Sequence, residues 1–227
     1  MLAGKAAPQT RKPWCALGLT LGAAMAYACP SLTQWLVFDT EASHSGEIWR
    51  ILTGHFCHYN ESHFVGDVAA FLIWASVVEL ISRRLLFSAI LGTSMLVGCW
   101  LLLGGAPRID YRGLSAIDCA LAAQLFTLAF FDRRVRERRW LLTALVIATT
   151  LFFGKSLCEF GTGHAILAPK LGEGVRLLPE AHVLGILAGV STALVYAFTR
   201  HRLIRRKPNN GSCSEHEMAS DALLQAE

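Results

Sequence analysis

The sequence predicts an all-α polytopic membrane protein with six transmembrane helices. The main observations are that 53% of its 227 residues are hydrophobic and only 17% are charged, with a mean hydropathy of +0.42. Such a chain is too apolar for a water-soluble globule of this length. It also contains six apolar segments of about 20 residues, the length at which a helix crosses a hydrocarbon core of about 30 Å. A helix is the expected form because it satisfies its own backbone hydrogen bonds in lipid.

The predicted spans are separated by connections of unequal length, the longest being residues 39–61 and 158–180. They are Trp14–Phe38, Ser62–Ile81, Leu85–Leu103, Leu114–Phe131, Trp140–Leu157 and Ala181–Thr199. We therefore expect a cytoplasmic N-terminus over residues 1–13 and a six-helix membrane domain over residues 14–199. Residues 200–227 are expected to form a polar cytoplasmic tail that is disordered.

The distribution of Lys and Arg predicts the orientation. Most of the 21 basic residues lie before the first span or directly after the second, fourth and sixth spans, and positive residues collect on the cytoplasmic side. Both termini are therefore predicted to be cytoplasmic. Because the basic residues flank apolar segments, they indicate topology and not a nucleic-acid-binding surface.

The first span admits a second interpretation. Its basic flank, apolar run and Ala26-Tyr27-Ala28 resemble a cleavable signal peptide. The apolar run continues past Pro30 to Phe38, which favours a retained span.

A serine and a histidine begin the fourth and sixth spans on the external side. Ser115 follows Gly113, and by itself it could be a helix N-cap. His182 shares one helix stripe with Gly185 and Gly189, a pattern that permits close backbone approach and by itself indicates packing. Because both spans enter from the same side, we expect the imidazole to reach the hydroxyl as a general base. The expected partner stripe on the fourth span is Ser115, Cys119 and Ala123.

Further polar residues precede and open the second span. His63 and Asp67 are four residues apart and share a helix face, and an ionisable residue within a span is a functional candidate by default. His63, Asp67 and the backbone N–H of Ser115 are candidate donors to an oxyanion. A carboxylate repels an oxyanion, so Asp67 can donate only when it is protonated.

The same region also supports a metal hypothesis. His55, His58 and His63 with Asp67 carry enough nitrogen and oxygen atoms for zinc. Their spacing is not H-E-x-x-H, however, and the seven cysteines contain no C-x-x-C pair. We expect no metal and no other cofactor, and a metal-handling or transport function is the less favoured alternative.

Four other residues are candidates for supporting the site or binding substrate. His58 precedes the second span. Asp118, three residues after Ser115, either orients a donor or faces water. Lys155 and Glu159 lie one turn apart at the outer end of the fifth span, where they either neutralise each other or position substrate.

Together these residues resemble the rhomboid family of intramembrane serine proteases. The motifs that carry the resemblance are Trp49-Arg50, His58-x4-His63-x3-Asp67, Gly113-x-Ser115 and Ala181-His182-x2-Gly185-x3-Gly189. Within the family the chain looks most similar to the rhombosortase branch. That second resemblance rests on Tyr111-Arg112-Gly113-Leu114-Ser115, Lys155-x3-Glu159 and Glu180-Ala181-His182.

The resemblance implies a bacterial inner-membrane protease whose site opens to the periplasm. It implies Ser115 as nucleophile, His182 as base and His63 with Asp67 as oxyanion donors. The residues implied to be structural are Gly113, Gly185, Gly189, Trp49 and Arg50. The implied substrates are exported proteins whose C-terminal tail contains a Gly-Gly segment, an apolar helix and a basic end.

Three residues depart from the usual family pattern. Asp67 replaces an Asn, Ala116 replaces a Gly and Cys119 replaces an aromatic residue. These departures leave open an alternative, a catalytically inactive relative that binds client transmembrane helices.

Overall fold

The computed structural model describes residues 12–106, 110–162 and 178–206, without the side chains of Ser156, Glu159, His201 and residues 203–206. This part of the chain is helical, with one isolated antiparallel bridge between Phe38 and Tyr111 and no strand. The all-α prediction is confirmed. Most of the predicted tail lies outside the described residues, so its disorder stays a prediction.

The chain divides into two compact units, Met1–Leu194 and Val195–Glu227. The described helices in chain order are α1 (Trp14–Ala28), α2 (Pro30–Leu36), α3 (Thr40–His44), α4 (Arg50–Thr53), α5 (Glu61–Ile81), α6 (Arg83–Leu102), α7 (Ser115–Phe131), α8 (Arg133–Glu137), α9 (Arg139–Thr162) and α10 (Pro179–Arg206). A 3-10 turn, Gly54–Phe56, follows α4. The described part of the second unit is the end of α10.

The long helices have the character of membrane spans. Within the described ranges, α5, α6, α9 and α10 are long and apolar enough to cross a bilayer, and α1 with α2 makes a fifth candidate if the two count as one span. The 17-residue α7 is a shorter apolar helix at the position of the predicted fourth span. The chain is a multi-pass helical membrane protein, as predicted.

The first predicted span is not one helix. α1 ends at Ala28, the backbone of Cys29 is extended, and α2 begins at Pro30 with its axis turned by 113°. Proline lacks an N–H and its ring clashes with the preceding helical turn, whereas its fixed φ suits the first position of a new helix. The prediction of a continuous Trp14–Phe38 helix is therefore wrong, although the apolar run is continuous.

α7 is the central helix of the first unit. Every residue from Ala116 to Gln124 is buried, and the helix packs against α5, α6 and α9. Its 17 residues span about 26 Å, less than a hydrocarbon core of about 30 Å. α7 is therefore at the short end of the range for a membrane-spanning helix.

A buried carboxylate joins α1 to α5. Glu79, near the end of α5, accepts the backbone N–H of Cys15 at 3.2 Å and of Ala16 at 2.8 Å. It also pairs with Arg83 at 3.0 Å. The first amides of a helix have no partner within the helix, so Glu79 supplies the acceptor that α1 lacks.

A buried guanidinium fixes the segment after α2. Arg50 donates to the carbonyls of Gln34 and Val37, each at 2.7 Å, and pairs with Glu47 at 2.5 Å. Beside it, the indole N–H of Trp49 donates to the carbonyl of Trp35 at 3.2 Å. These bonds satisfy carbonyls that the end of α2 leaves open, and they hold α2 against α4.

Candidate active site

Ser115 is the first residue of α7, and the segment before it is held in place at two points. The N–H of Tyr111 donates to the carbonyl of Phe38 at 3.2 Å. Gly113 has a φ of +125°, a region that favours glycine. A Cβ atom on Gly113 would lie 2.8 Å from Nε2 of His63. Glycine therefore lets the chain turn into α7 directly against a polar side chain.

His182 lies in the first turn of α10 and is 7% exposed. Its Nε2 atom is 3.1 Å from Oγ of Ser115, which is a hydrogen-bond distance. When Nε2 carries no proton, the hydroxyl donates to the ring, which is the arrangement of a nucleophile and its base. The structure brings together two residues that stand 67 positions apart in the chain.

Glycines bring α10 against α7. A Cβ atom on Gly185 would lie 2.9 Å from the carbonyl carbon of Ala116, and one on Gly189 would lie 2.8 Å from the carbonyl carbon of Ala120. Real Cβ contacts are longer than this, so the helix backbones touch only because both residues lack a side chain.

The predicted partner stripe on α7 is displaced by one residue. It was expected at Ser115, Cys119 and Ala123, whereas the glycines face Ala116 and Ala120. The closest contacts are to backbone carbonyl groups, and a stripe of small side chains does not indicate where those carbonyls point.

His63 and Asp67 project from the first two turns of α5. Asn60 caps this helix, because its Oδ1 accepts the N–H of His63 at 2.9 Å. Nε2 of His63 lies 3.1 Å from Oδ2 of Asp67. Nε2 of His58 is 3.6 Å from the same oxygen, which is beyond hydrogen-bonding distance.

The carboxylate of Asp67 also contacts the start of α7. The backbone N–H of Ser115 donates to Oδ2 of Asp67 at 3.2 Å. His63 and the Ser115 amide, both candidate oxyanion donors, therefore converge on one atom of Asp67. In this arrangement the carboxylate is an acceptor.

Tyr59 covers His63, and sequence reasoning missed it. The two rings stack with centroids 6.0 Å apart, and the guanidinium of Arg112 lies 5.0 Å from the Tyr59 ring centre. The Tyr59 hydroxyl donates to the carbonyl of Asp110, and burial raises the pKa of this phenol. The hydroxyl therefore keeps its proton at neutral pH. A tyrosine in a loop beside a histidine carries no periodicity from which this contact could be predicted.

His55 and Tyr111 form a buried pair behind these residues. The rings meet edge to face with centroids 5.0 Å apart, and Nδ1 of His55 is 3.4 Å from the Tyr111 hydroxyl. Burial lowers the pKa of His55 to about 4 and raises that of Tyr111 well above its usual value. Both side chains are neutral at pH 7.

The metal hypothesis groups His55 with His58, His63 and Asp67, whereas the ring of His55 packs on Tyr111. Within residues 12–106, 110–162 and 178–206, no group of three His, Cys, Asp or Glu side chains is arranged to hold a metal ion.

The remaining candidates are partly described. Asp118 is 8% exposed, so it is buried and does not face open water, and its Oδ1 has no hydrogen-bond partner in the described part of the protein. Lys155 is half-buried on α9. The side chain of Glu159 lies outside the described residues, and with it the expected pairing with Lys155.

The fold and the site define a class: a multi-pass helical membrane protein with a serine and a histidine in hydrogen-bond contact at the ends of two closely packed helices. The chain belongs to the rhomboid family, because the family model of the Rhomboid domain matches residues 45–198, more than half of the chain. This is a family of intramembrane serine proteases. Comparison with curated proteins gives no match.

Proposed function

We propose that this chain is an intramembrane serine protease in which Ser115 is the nucleophile and His182 the general base. The observation that carries the proposal is the 3.1 Å distance between Oγ of Ser115 and Nε2 of His182. His182 takes the hydroxyl proton as Oγ attacks a peptide carbonyl, and it returns that proton to the amine that leaves. Water or an acceptor amine then resolves the acyl-enzyme ester. The dyad supplies both proton transfers without a cofactor.

The tetrahedral intermediate needs donors for its negative oxygen. We propose the backbone N–H of Ser115, Nε2 of His63 and, in its protonated form, Asp67. The first two lie 3.2 Å and 3.1 Å from one common point, the position of Oδ2 of Asp67. Removing one such donor typically costs about 10²- to 10³-fold in kcat.

The proposed substrates are exported proteins with a C-terminal Gly-Gly segment, an apolar helix and a basic end. They would be cut at the outer face of a bacterial inner membrane, the orientation that the basic flanks favour. α9 and α5 offer the substrate helix apolar surface, because most of the apolar length of each helix is not buried within the described part of the protein. Glycines in the tail ease the local unwinding that exposes a scissile bond.

The test combines an active-site label with a cleavage reporter. A fluorophosphonate should label Ser115 in the purified protein, and a membrane-anchored reporter carrying a Gly-Gly tail should be cleaved. Both signals should disappear in Ser115→Ala and in His182→Ala. Ser94→Ala is the matched control, because Ser94 is another buried serine, on α6, and both signals should persist. A folded wild-type protein that neither labels nor cleaves would contradict the proposal.

A second function is favoured by the contact between Asp67 and Ser115. A carboxylate 3.2 Å from the Ser115 amide occupies a donor that catalysis needs, as expected for an inactive relative that binds client transmembrane helices. In that case client helices co-purify equally with the wild type and Ser115→Ala, and neither protein cleaves them.

A further inference from the structure

The oxyanion site of this chain already contains an anionic group. We propose that the ionised carboxylate of Asp67 blocks the site in the resting protein, and that reaction requires this carboxylate to be neutralised or displaced. The inference rests on the proposed function and concerns how the same site is controlled.

The geometry of one oxygen atom supports the proposal. Oδ2 of Asp67 accepts the N–H of Ser115 at 3.2 Å and lies 3.1 Å from Nε2 of His63. Nε2 of His58 lies 3.6 Å from the same oxygen. A tetrahedral intermediate places an oxygen of the same charge where such donors converge. The two oxygens cannot occupy that position together.

The surroundings of Asp67 explain why its carboxylate rests there. Ser115 is the first residue of α7, so its N–H has no partner within the helix. A negative group at a helix N-terminus is stabilised by the helix dipole. The contact therefore caps α7 while it covers a donor.

Groups from several elements face this carboxylate. His63 belongs to α5 and His58 to the loop before it. Asp118 on α7 and Tyr111 on the segment before α7 also interact with Asp67 electrostatically. A neutral side chain of the same shape at position 67 would keep the packing of these groups while removing the charge that opposes the oxyanion.

The variant Asp67→Asn removes the charge that blocks the oxyanion site but keeps a side-chain oxygen that can accept the N–H of Ser115 at the start of α7. A fluorophosphonate reacts by forming an Oγ–P bond as fluoride leaves, with the Ser115 proton passing to His182, and the phosphonyl oxygen needs the oxyanion donors. We expect Asp67→Asn to label Ser115 at least about tenfold faster than the wild type, given what one such donor contributes. Glu61→Gln is the matched control, because Glu61 is an exposed carboxylate on the same helix, and it should label at the wild-type rate.

A second measurement tests whether Asp67→Asn changes the reactivity of the side chain at position 115 in general, and not only in reactions that form an oxyanion. In Ser115→Cys, iodoacetamide alkylates the thiol by displacing iodide, a step that forms no oxyanion. Adding Asp67→Asn to this variant should accelerate alkylation at position 115, read by mass spectrometry, much less than it accelerates fluorophosphonate labelling. Equal acceleration of the two reactions would overturn the proposal.

The remaining outcomes are distinct. If the wild type labels and Asp67→Asn labels no faster, the blocking role is wrong and the proposed protease stands. If neither folded protein labels, the proposed function fails and this inference fails with it. Thermal unfolding establishes that each variant is folded, and Asp67→Ser is measured in the same way if Asp67→Asn does not fold.

Discussion

Gly185 and Ala116 meet backbone to backbone, and this contact sets the separation of α10 from α7. A Cβ atom on Gly185 would lie only 2.9 Å from the carbonyl carbon of Ala116. The hydrogen bond between His182 and Ser115 is next to this contact, because Ser115 directly precedes Ala116 on α7 and His182 lies three residues before Gly185 on α10. The geometry of the Ser115–His182 pair therefore depends on a position outside the pair itself.

Gly185→Ala is expected to lower fluorophosphonate labelling of Ser115 by about 10²-fold, because a misplacement of about 1 Å can cost that much. The control is Gly92→Ala on α6, where a Cβ atom would meet Ala188 and Thr192 at an ordinary 3.8 Å. Labelling of a folded Gly185→Ala protein at the wild-type rate would show that the helix separation does not control the dyad.

Arg50→Lys is expected to lower the free energy of unfolding by about 1–3 kcal/mol. Nη1 of Arg50 donates to the carbonyls of Gln34 and Val37 while Nε pairs with Glu47. A lysine has a single nitrogen and cannot place donors at both of these positions. Thermal unfolding in detergent measures the loss, and Arg84→Lys at an exposed position is the control. Equal melting temperatures for the two variants would contradict this account of α2.

Glu79→Ala is expected to cost about 2 kcal/mol, because it leaves the amides of Cys15 and Ala16 without an acceptor in a buried position. Glu137→Ala is the comparison, since Glu137 also pairs with an arginine one turn away but is exposed, and exposed pairs contribute little. Detergent melts of both variants test the difference. A loss no larger for Glu79→Ala than for Glu137→Ala would refute the capping of α1.

His55 is expected to make stability depend on pH. Burial lowers its pKa from 6.5 to about 4, so the unfolded chain binds this proton more readily than the folded protein. The contribution of neutral His55 to the free energy of unfolding is fully present above about pH 6.5 and is lost as the pH falls towards 4. At pH 5 the loss is about 2 kcal/mol.

The measurement is the fall in melting temperature between pH 7 and pH 5. It should be smaller in His55→Gln than in the wild type, whereas His44→Gln, at an exposed position, should keep the whole fall. The same pH dependence in both variants would mean that His55 does not titrate as its burial implies.

Hydropathy and motif order predict most of what positions the site. The membrane class follows from composition, and the meeting of Ser115 with His182 follows from two spans that begin on the same side. Gly185 and Gly189 indicate a close contact, because only glycine permits it. These signals are local to each helix, and the sequence displays them directly.

The features that sequence reasoning missed depend on contacts between distant segments. Glu79 meets the start of α1 more than 60 positions away, and no spacing indicates that pairing. The register of α7 against α10 is set by backbone carbonyls, which every residue carries. The break in the first span coincides with Pro30, a residue that interrupts helices, although the apolar run continues through it.

The 113° turn between α1 and α2 directs the chain away from the axis of α1 into a segment with exposed indole rings. Trp35 on α2 is exposed, and so is Trp49, whose indole N–H donates to the carbonyl of Trp35. Indole rings prefer the headgroup region of a bilayer. Two residues after α2, the carbonyl of Phe38 accepts the N–H of Tyr111, which lies four residues before Ser115. We therefore expect the depth of Ser115 in the bilayer to be tied to the headgroup region that these indole rings prefer.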